Sequence, residues 1–189
     1  MHRFRFIAAL IAALPALACL ATANVPAGAA APDVRVAIVT NLGTIEIAVD
    51  PVHAPITVKN FLRLVDKKFY DGGTFFRAVP TFMIQGGNQA RETANDATIP
   101  LESPLKTGLR NVDGAISMAR RADPNSADTE FFICDGNQPT LDGSMTQPGY
   151  AAFGHVTKNM ALVRRIARLP ARDQGLLVPV KIIHIERVR

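Results

Sequence analysis

The sequence contains few of the residues that a metal centre, a disulfide framework or a thiol catalyst would require. Among its 189 residues there are two cysteines and four histidines. His53, His155 and His184 show no metal-ligand spacing. Cys134 directly follows the apolar run 131–133, which favours a buried small hydrophobic residue over a nucleophile. No pattern favours a histidine–cysteine catalytic pair, and we expect neither a metal nor any other cofactor.

Concentrated positive charge and long apolar runs are also absent. The formal net charge is +5, and the basic residues are dispersed along the chain. The two arginine pairs, Arg120-Arg121 and Arg164-Arg165, have no interleaved aromatic residues, which argues against a nucleic-acid-binding surface. The apolar stretch Ile7 to Leu20 is too short to span a bilayer comfortably. No internal repeat is visible, and the length suits one domain.

Residues 1–23 have the pattern of a secretory signal peptide. A basic start at residues 2–5 precedes the apolar stretch, and Ala21-Thr22-Ala23 offers an A-x-A cleavage site. We predict cleavage before Asn24, which would lower the formal charge from +5 to +3. The expected product is periplasmic, without stable membrane insertion. Cleavage would also remove Cys19 and leave the remaining cysteine without a disulfide partner.

Two other fates of this first segment remain open. It could be retained as a membrane anchor. Alternatively, Cys19 could be lipidated, because it follows small residues in Ala16-Leu17-Ala18-Cys19. The leucine lies one place too late for a good lipobox, so the lipoprotein is the less favoured interpretation.

The remaining chain is predicted to contain a flexible linker, residues 24–32, and one domain, residues 33–189. Two helices are expected, from Pro55 to about Lys67 and near residues 158–168. The polar stretch from Asn88 to Val112 is a long loop, expected to be functional or well pinned. Because the strands are mostly not linked by helices, the pattern predicts an antiparallel barrel or sandwich. Strand patterns occur at residues 34–39, 44–49, 74–79, 82–87, 114–118, 130–134, 150–156 and 180–188.

Several separated blocks, in one order from about Val34 to Val188, carry a family resemblance. They are D-x-x-x-A-P-x-T-V-x-N-F at 50–61, F-F-R-A-V-P-T-F-M-I-Q-G-G at 75–87, a strand–loop–strand pattern at 114–134, and L-D-G with G-Y-A-A-F-G-H-V at 141–156. In this order they resemble the cyclophilin family of peptidyl-prolyl cis-trans isomerases. The resemblance implies a mainly β fold, a closed eight-stranded antiparallel β-barrel capped by two α-helices. It also implies an isomerase that needs no cofactor.

The resemblance assigns a role to each matching residue. Arg77 matches the catalytic arginine, and Gln85 matches the glutamine that hydrogen-bonds the substrate backbone. Arg120 matches a position whose main chain pairs with the peptide, so its side chain need not matter. The walls of the proline pocket correspond to Phe82, Met83, Phe132 and Leu141.

Three positions depart from the eukaryotic pattern. Glu130 replaces a glutamine, so an acceptor-only carboxylate stands where an amide could donate. Thr140 stands where many members have tryptophan, and Tyr150 where they have histidine. Glu130 and Tyr150 are still expected to contact substrate. Without the tryptophan, weak or no binding of the cyclic peptide cyclosporin is expected.

The favoured function is prolyl isomerisation in the folding of exported proteins, by a monomer acting on proline-containing unfolded chains or peptides. One alternative is a non-catalytic binder of proline peptides; Arg77 argues against it, and Glu130 leaves it open. A second alternative is a small-ligand barrel such as a lipocalin. The two helices and the long loop fit that alternative badly.

Overall fold

The computed structural model describes residues 34–91 and 97–188. The predicted signal peptide and linker lie outside the described residues. Within them are three α-helices: α1 Pro55–Asp66, α2 Pro104–Thr107 and α3 Met160–Ala167. The strands are β1 Val34–Thr40, β2 Gly43–Val49, β3 Thr74–Val79, β4 Met83–Gly87, β5 Ala115–Met118, β6 Phe131–Cys134, β7 Ala152–Lys158, β8 Ala171–Arg172 and β9 Gly175–Arg187.

Eight of these strands close into an antiparallel barrel. The order of neighbours is β1-β2-β7-β5-β6-β4-β3-β9, and β9 pairs back onto β1. Closure satisfies the backbone groups that an open sheet would leave at its edges. The two-residue strand β8 only forms a hairpin with the start of β9. The predicted eight-stranded barrel is therefore confirmed.

Alternate side chains of the strands point inward and form one apolar interior cluster. Its largest fully buried side chains are aromatic, and Phe131 packs edge-on against Phe61, Tyr70 and Phe75 at centroid distances of 5.4–5.8 Å. Gly86 lies opposite Phe75, where a Cβ would come within 2.8 Å of the ring. A glycine is required there because the phenylalanine occupies the space of the missing side chain.

Helices α1 and α3 bury the faces that their periodicity predicts. Val58, Phe61 and Val65 of α1 are buried, as are Leu162 and Ile166 of α3, and all five belong to the interior cluster. Proline occupies the first turn of α1, where its missing N–H is not needed.

The predicted long loop is pinned at several points and contains a short helix. Glu102 accepts hydrogen bonds from the backbone N–H of Ile56 and Thr57 at 3.0 and 2.8 Å, so its carboxylate caps α1. Ile99 pairs with Ala127 in an isolated bridge. Helix α2 is an addition to the two predicted helices and lies within this loop.

Candidate active site

Arg77 reaches the outer face of the barrel because β3 contains a β-bulge. Phe75 and Ala78 both belong to the interior cluster. Strict alternation from Phe75 would turn Arg77 inward as well. Instead the register against β4 shifts between Phe75 and Arg77, with Phe76 as the extra residue. The bulge re-aims the following side chain, and the arginine lies half-buried on the outside.

A row of side chains crosses three neighbouring strands on this outer face. Arg77 of β3 pairs with Gln85 of β4, which pairs with Phe132 of β6. One step along, Met83 pairs with Cys134. The strands therefore supply a polar edge and an apolar floor that lie side by side.

The opposite wall comes from the segment between β6 and β7, and a buried asparagine holds it. Asn111 donates through Nδ2 to the carbonyl oxygens of Leu141 and Tyr150 at 3.1 and 3.2 Å. Its Oδ1 accepts from the Ser117 hydroxyl at 2.7 Å. Asp142 accepts from the Asn111 backbone N–H at 2.7 Å. Hydrogen bonds of Asn111 thus hold the loop that forms this wall against the barrel.

These walls enclose a cavity of about 260 Å³ on the outside of the barrel. Phe132 and Tyr150 meet edge-on inside it, with ring centroids 5.6 Å apart. Every predicted site residue except Glu130 lines it: Arg77, Phe82, Met83, Gln85, Arg120, Phe132, Leu141 and Tyr150, together with Ala119. The structure therefore brings together residues that are up to 73 positions apart in the chain.

Two glutamines hold the guanidinium of Arg77, and a carboxylate orients one of these glutamines. Nη1 donates to Gln85 Oε1 at 2.9 Å, and Nε donates to Gln174 Oε1 at 2.8 Å. Nη2 donates to the same Gln174 oxygen. On its other side, the Gln85 amide donates to Glu130 Oε2 at 2.7 Å. Glu130 therefore orients the Gln85 amide so that its oxygen faces Arg77.

Glu130 itself lies beside the main cavity. It lines a neighbouring polar cavity with Arg121 and Asp128, and it accepts from Gln89 Nε2 at 3.2 Å. Both carboxylate oxygens of Glu130 therefore accept hydrogen bonds from glutamine amides. These two donors suit the carboxylate that stands here in place of the glutamine of other family members. Its predicted contact with substrate stays a prediction.

The side chain of Arg120 contacts other residues of the site, whereas the family resemblance assigns a role only to its main chain. The guanidinium lies 4.5 Å from the centroid of the Tyr150 ring, a distance suited to a cation–π contact. It also donates to the carbonyl oxygens of Gly149 and Pro148 at 3.1 and 2.9 Å. The side chain therefore holds one rim of the cavity in place. Thr140 is exposed beside Leu141.

Cys134 lies buried beneath the cavity, packed with Met83, Ala115 and Phe132. Burial raises the pKa of its thiol to about 12, with a further contribution from the carboxylates of Asp142 and Asp113. At neutral pH it is a protonated thiol and a poor nucleophile.

Two findings concern metals and membranes within residues 34–91 and 97–188. In this part of the chain, no three side chains of the metal-ligating types His, Cys, Asp and Glu are grouped so that they could hold an ion. No helix there is long and apolar enough to cross a membrane.

The sequence comparison identifies the family. Residues 35–187 match the family model described as cyclophilin type peptidyl-prolyl cis-trans isomerase/CLD. The chain therefore belongs to the cyclophilin-type peptidyl-prolyl cis-trans isomerases, and the resemblance noted in its motifs is confirmed. It is an enzyme that catalyses rotation about the X–Pro peptide bond.

Bacterial relatives cover most of the chain. It is similar to a peptidyl-prolyl cis-trans isomerase of Acinetobacter baylyi, with 41% identity over 153 residues, 78% of this chain and 81% of the relative. It is also similar to peptidyl-prolyl cis-trans isomerase A of Dickeya dadantii, with 39% identity over 171 residues, 89% of this chain and 90% of the relative.

A solved structure has the same fold at lower identity. The cyclophilin type isomerase of Cryptosporidium parvum matches with a TM-score of 0.73 and 22% identity, covering 83% of this chain and 98% of that one. Its structure in the presence of the dipeptide ala-pro matches with a TM-score of 0.72 and 23% identity, covering 82% and 99%. This likeness confirms the barrel architecture.

Gln174 and Asn111 are two residues of the site that the motifs did not reveal. Gln174 lies in the tight turn between β8 and β9, far from the matching blocks, and Asn111 is a single polar residue at the end of the long loop. The one local signal for the turn is the Asp173-Gln174-Gly175 sequence, which favours a hairpin but does not indicate contact with Arg77.

Proposed function

We propose that this isomerase accelerates X–Pro rotation during the folding of exported proteins, with Arg77 as its catalytic residue. The observation that supports this most is the position of Arg77, at the edge of an apolar cavity on the outside of the barrel. Proline-containing unfolded chains and peptides are the proposed substrates. The Cryptosporidium parvum relative was solved in the presence of ala-pro, a ligand of the same chemical class.

The reaction requires little acid–base chemistry. An X–Pro amide rotates over a barrier of about 18–20 kcal/mol because the nitrogen lone pair is delocalised into the carbonyl. No covalent bond forms or breaks, so the site needs no nucleophile. It needs a surface that holds the twisted amide away from water and a donor that favours the localised lone pair.

The apolar side of the cavity suits the prolyl ring. Met83 and Phe132 form its floor and are almost completely buried, while Leu141 is half-buried on the opposite wall. At about 260 Å³ the cavity is slightly smaller than the sites of about 300–1,000 Å³ that hold drug-sized ligands. A ring that fills it would displace water, and the lower local dielectric would strengthen hydrogen bonds to the adjoining amide.

Arg77 suits the role of the donor. A guanidinium stays charged and presents its N–H groups in a rigid plane. As the amide twists, its nitrogen becomes pyramidal and basic, and a preorganised cation beside it stabilises that state more than the planar ground state. Gln85 can still meet substrate backbone, because its hydrogen bonds to Arg77 and Glu130 use one oxygen lone pair and one N–H.

The signal-peptide pattern of residues 1–23 supports the proposed role in exported proteins. X–Pro isomerisation takes tens to hundreds of seconds uncatalysed and can limit folding. A chain that crosses the inner membrane unfolded must fold afterwards. An isomerase exported by the same kind of signal would meet these chains in the periplasm.

The activity is tested with the purified protein on a short X–Pro peptide in a protease-coupled assay, and on the proline-limited refolding of an exported protein. We expect acceleration of both, unchanged by a metal chelator. Peptide binding without acceleration would instead identify a non-catalytic proline binder.

The location is tested by the intact mass of the protein from an osmotic-shock fraction. We expect a soluble species that begins at Asn24. A diacylated species that begins at Cys19, or an uncleaved chain in the membrane fraction, would contradict the proposed soluble periplasmic product while leaving the isomerase activity intact.

A further inference from the structure

Gln174 holds the guanidinium of Arg77 from a tight turn that also pairs with the strand of Arg77. Strands β8 and β9 are joined by Asp173 and Gln174, both with positive φ, 50° and 70°. Two such residues in succession are typical of a type I′ hairpin. Beside this turn, Arg77 pairs with Gly175, and the Ala78 N–H donates to the Gln174 carbonyl at 2.9 Å. Backbone and side chain of Gln174 therefore both contact the bulged segment of β3.

The side-chain contacts determine which edge of the guanidinium is left for substrate. Gln174 Oε1 accepts from Nε and Nη2, and Gln85 Oε1 accepts from Nη1. An arginine has five N–H donors, one on Nε and two on each Nη. The hydrogen bonds within the described residues thus use three of them and leave one on each Nη. Those two N–H groups are left for substrate.

We propose that Gln174 is a positioning residue of the isomerase reaction, which fixes the plane of the Arg77 guanidinium against the cavity. The inference rests on the proposed catalytic role of Arg77 and extends it. An arginine on a strand has a long, flexible side chain whose rotamer freedom is lost when it must act at one point. Gln85 alone holds a single Nη; the second contact, on the opposite edge, stops rotation of the plane.

The choice of residue at position 174 supports this inference. A type I′ turn favours asparagine, aspartate or glycine at positive φ, and glutamine gains nothing from that backbone. A residue chosen only for the turn would be shorter. Glutamine has the length that brings its amide oxygen to Arg77, and it is exposed, so it supports no apolar core.

Glycine at position 174 separates the effect of this residue on the stability of the turn from its effect on the position of Arg77. Gln174→Gly gives the turn its favoured sequence and removes the amide, so the thermal midpoint should stay equal or rise. In the same variant kcat should decrease about tenfold, since misplacement of a catalytic group by about 1 Å can cost up to 10²-fold. KM should change less than kcat, because the proposed interaction acts mainly in the transition state. Exchange NMR on an X–Pro peptide at several concentrations gives kcat and KM separately.

Two further variants serve as matched controls. Asp173→Gly makes the same kind of change at the neighbouring turn position and should leave kcat within twofold of wild type, about 0.4 kcal/mol at 1.4 kcal/mol per decade. Gln174→Asn keeps an amide that suits positive φ but is one methylene shorter, so it should lose activity as glycine does. Wild-type kcat in Gln174→Gly or in Gln174→Asn would overturn the inference.

A double-mutant cycle with Arg77→Ala distinguishes failure of this inference from failure of the proposed function. If Gln174 acts through Arg77, the two losses should be strongly non-additive, with little further decrease in the double variant. Equal losses of kcat from Gln174→Gly in both backgrounds would overturn the inference and leave the role of Arg77 intact. Full activity in Arg77→Ala alone would overturn both.

Discussion

Phe131 and Phe132 are neighbours in β6, yet they belong to two different regions of the molecule. Phe131 points into the barrel and packs against three aromatic rings of the interior cluster. Phe132 points outward and belongs to a second cluster, the pocket cluster, formed by Met83, Ala115, Phe132 and Cys134. One strand therefore serves the core with one residue and the active site with the next.

The two clusters differ in what completes them. The interior cluster is enclosed on all sides by strands and helices. The pocket cluster is completed by Phe82, Leu141 and Tyr150, which are only half-buried and line the open cavity. Apolar surface left open beside a charged group is typical of a binding site rather than of a core. We infer that substitutions in the interior cluster will act on stability, and that substitutions of residues lining the cavity will act on catalysis, even at adjacent positions.

The pair Phe131→Ala and Phe132→Ala should separate these regions most clearly. Phe131→Ala leaves an enclosed cavity and should cost about 3–5 kcal/mol of unfolding free energy. Phe132→Ala enlarges a cavity already open to solvent, and about 1.5–3 kcal/mol is expected from lost burial. Activity per folded molecule should decrease only in Phe132→Ala, mainly through a higher KM. Chemical denaturation and isomerase assays on both variants check this. Equal losses of stability with equal activities would show that the interior cluster and the pocket cluster do not differ in function.

Arg77→Ala should reduce catalysis strongly and stability little, the opposite of Phe131→Ala. Removing a preorganised donor costs about 10²–10³ in rate in other enzymes, and we expect a similar decrease in kcat/KM here. The thermal midpoint should change little, because the half-buried side chain lies outside the interior cluster. Arg77→Lys should also be poor, since a point charge does not reproduce the planar fork. Near-wild-type turnover in Arg77→Ala would show that the polar edge of the pocket is not catalytic.

Thr140, exposed next to Leu141 in the chain, allows cyclosporin binding to be tested apart from isomerase turnover. Thr140→Trp would add apolar area worth roughly 1.5–3 kcal/mol and an indole N–H worth about 1 kcal/mol. Cyclosporin affinity should rise by about two to three orders of magnitude. Turnover of a short X–Pro peptide should change far less, because it depends on the Arg77 side of the cavity. A drug titration of wild type and variant in one assay measures this; low-nanomolar inhibition of wild type would contradict it.

Substitution of Cys134 should have the smallest effect, a change in stability that is visible only at alkaline pH. The raised pKa, about 12 against an ordinary 9.0, means that the unfolded chain loses the thiol proton first. Stability from this group is therefore complete below about pH 9 and decreases as the pH rises toward 12. Cys134→Ala should keep wild-type kcat/KM and show a shallower loss of stability between these values. Denaturation at several pH values checks the slope, and an unchanged slope would argue against the burial effect.

Sequence patterns predicted most of the strands and both longer helices, and the family resemblance predicted the closed barrel and most of the pocket. Strand alternation and the faces of α1 and α3 follow from local periodicity, and these elements lie within two residues of their predicted bounds, except that β9 begins at Gly175 rather than at Val180. The family resemblance assigned a role to every cavity-lining residue except Ala119. Glu130 was predicted to contact substrate, and the structure places it against Gln85 at the side of the cavity.

The features that the sequence did not predict depend on contacts between distant segments. The F-F-R run gives no sign of the bulge at Phe76, and simple alternation would place Arg77 inside the barrel. Glu102 caps α1 from 45 residues away, and Gln174 reaches Arg77 across 97. These contacts exist only once the barrel closes, so no local pattern contains them.

The most direct test is a crystal structure of the protein with a short Ala–Pro peptide bound. We expect the prolyl ring against Met83 and Phe132, on the outer face, with an Arg77 N–H within about 3 Å of the prolyl amide. Gln85 and Gln174 should still hold the other edges of the guanidinium. A peptide bound elsewhere on the barrel, or a ring in the cavity with Arg77 turned away from its amide, would contradict the account.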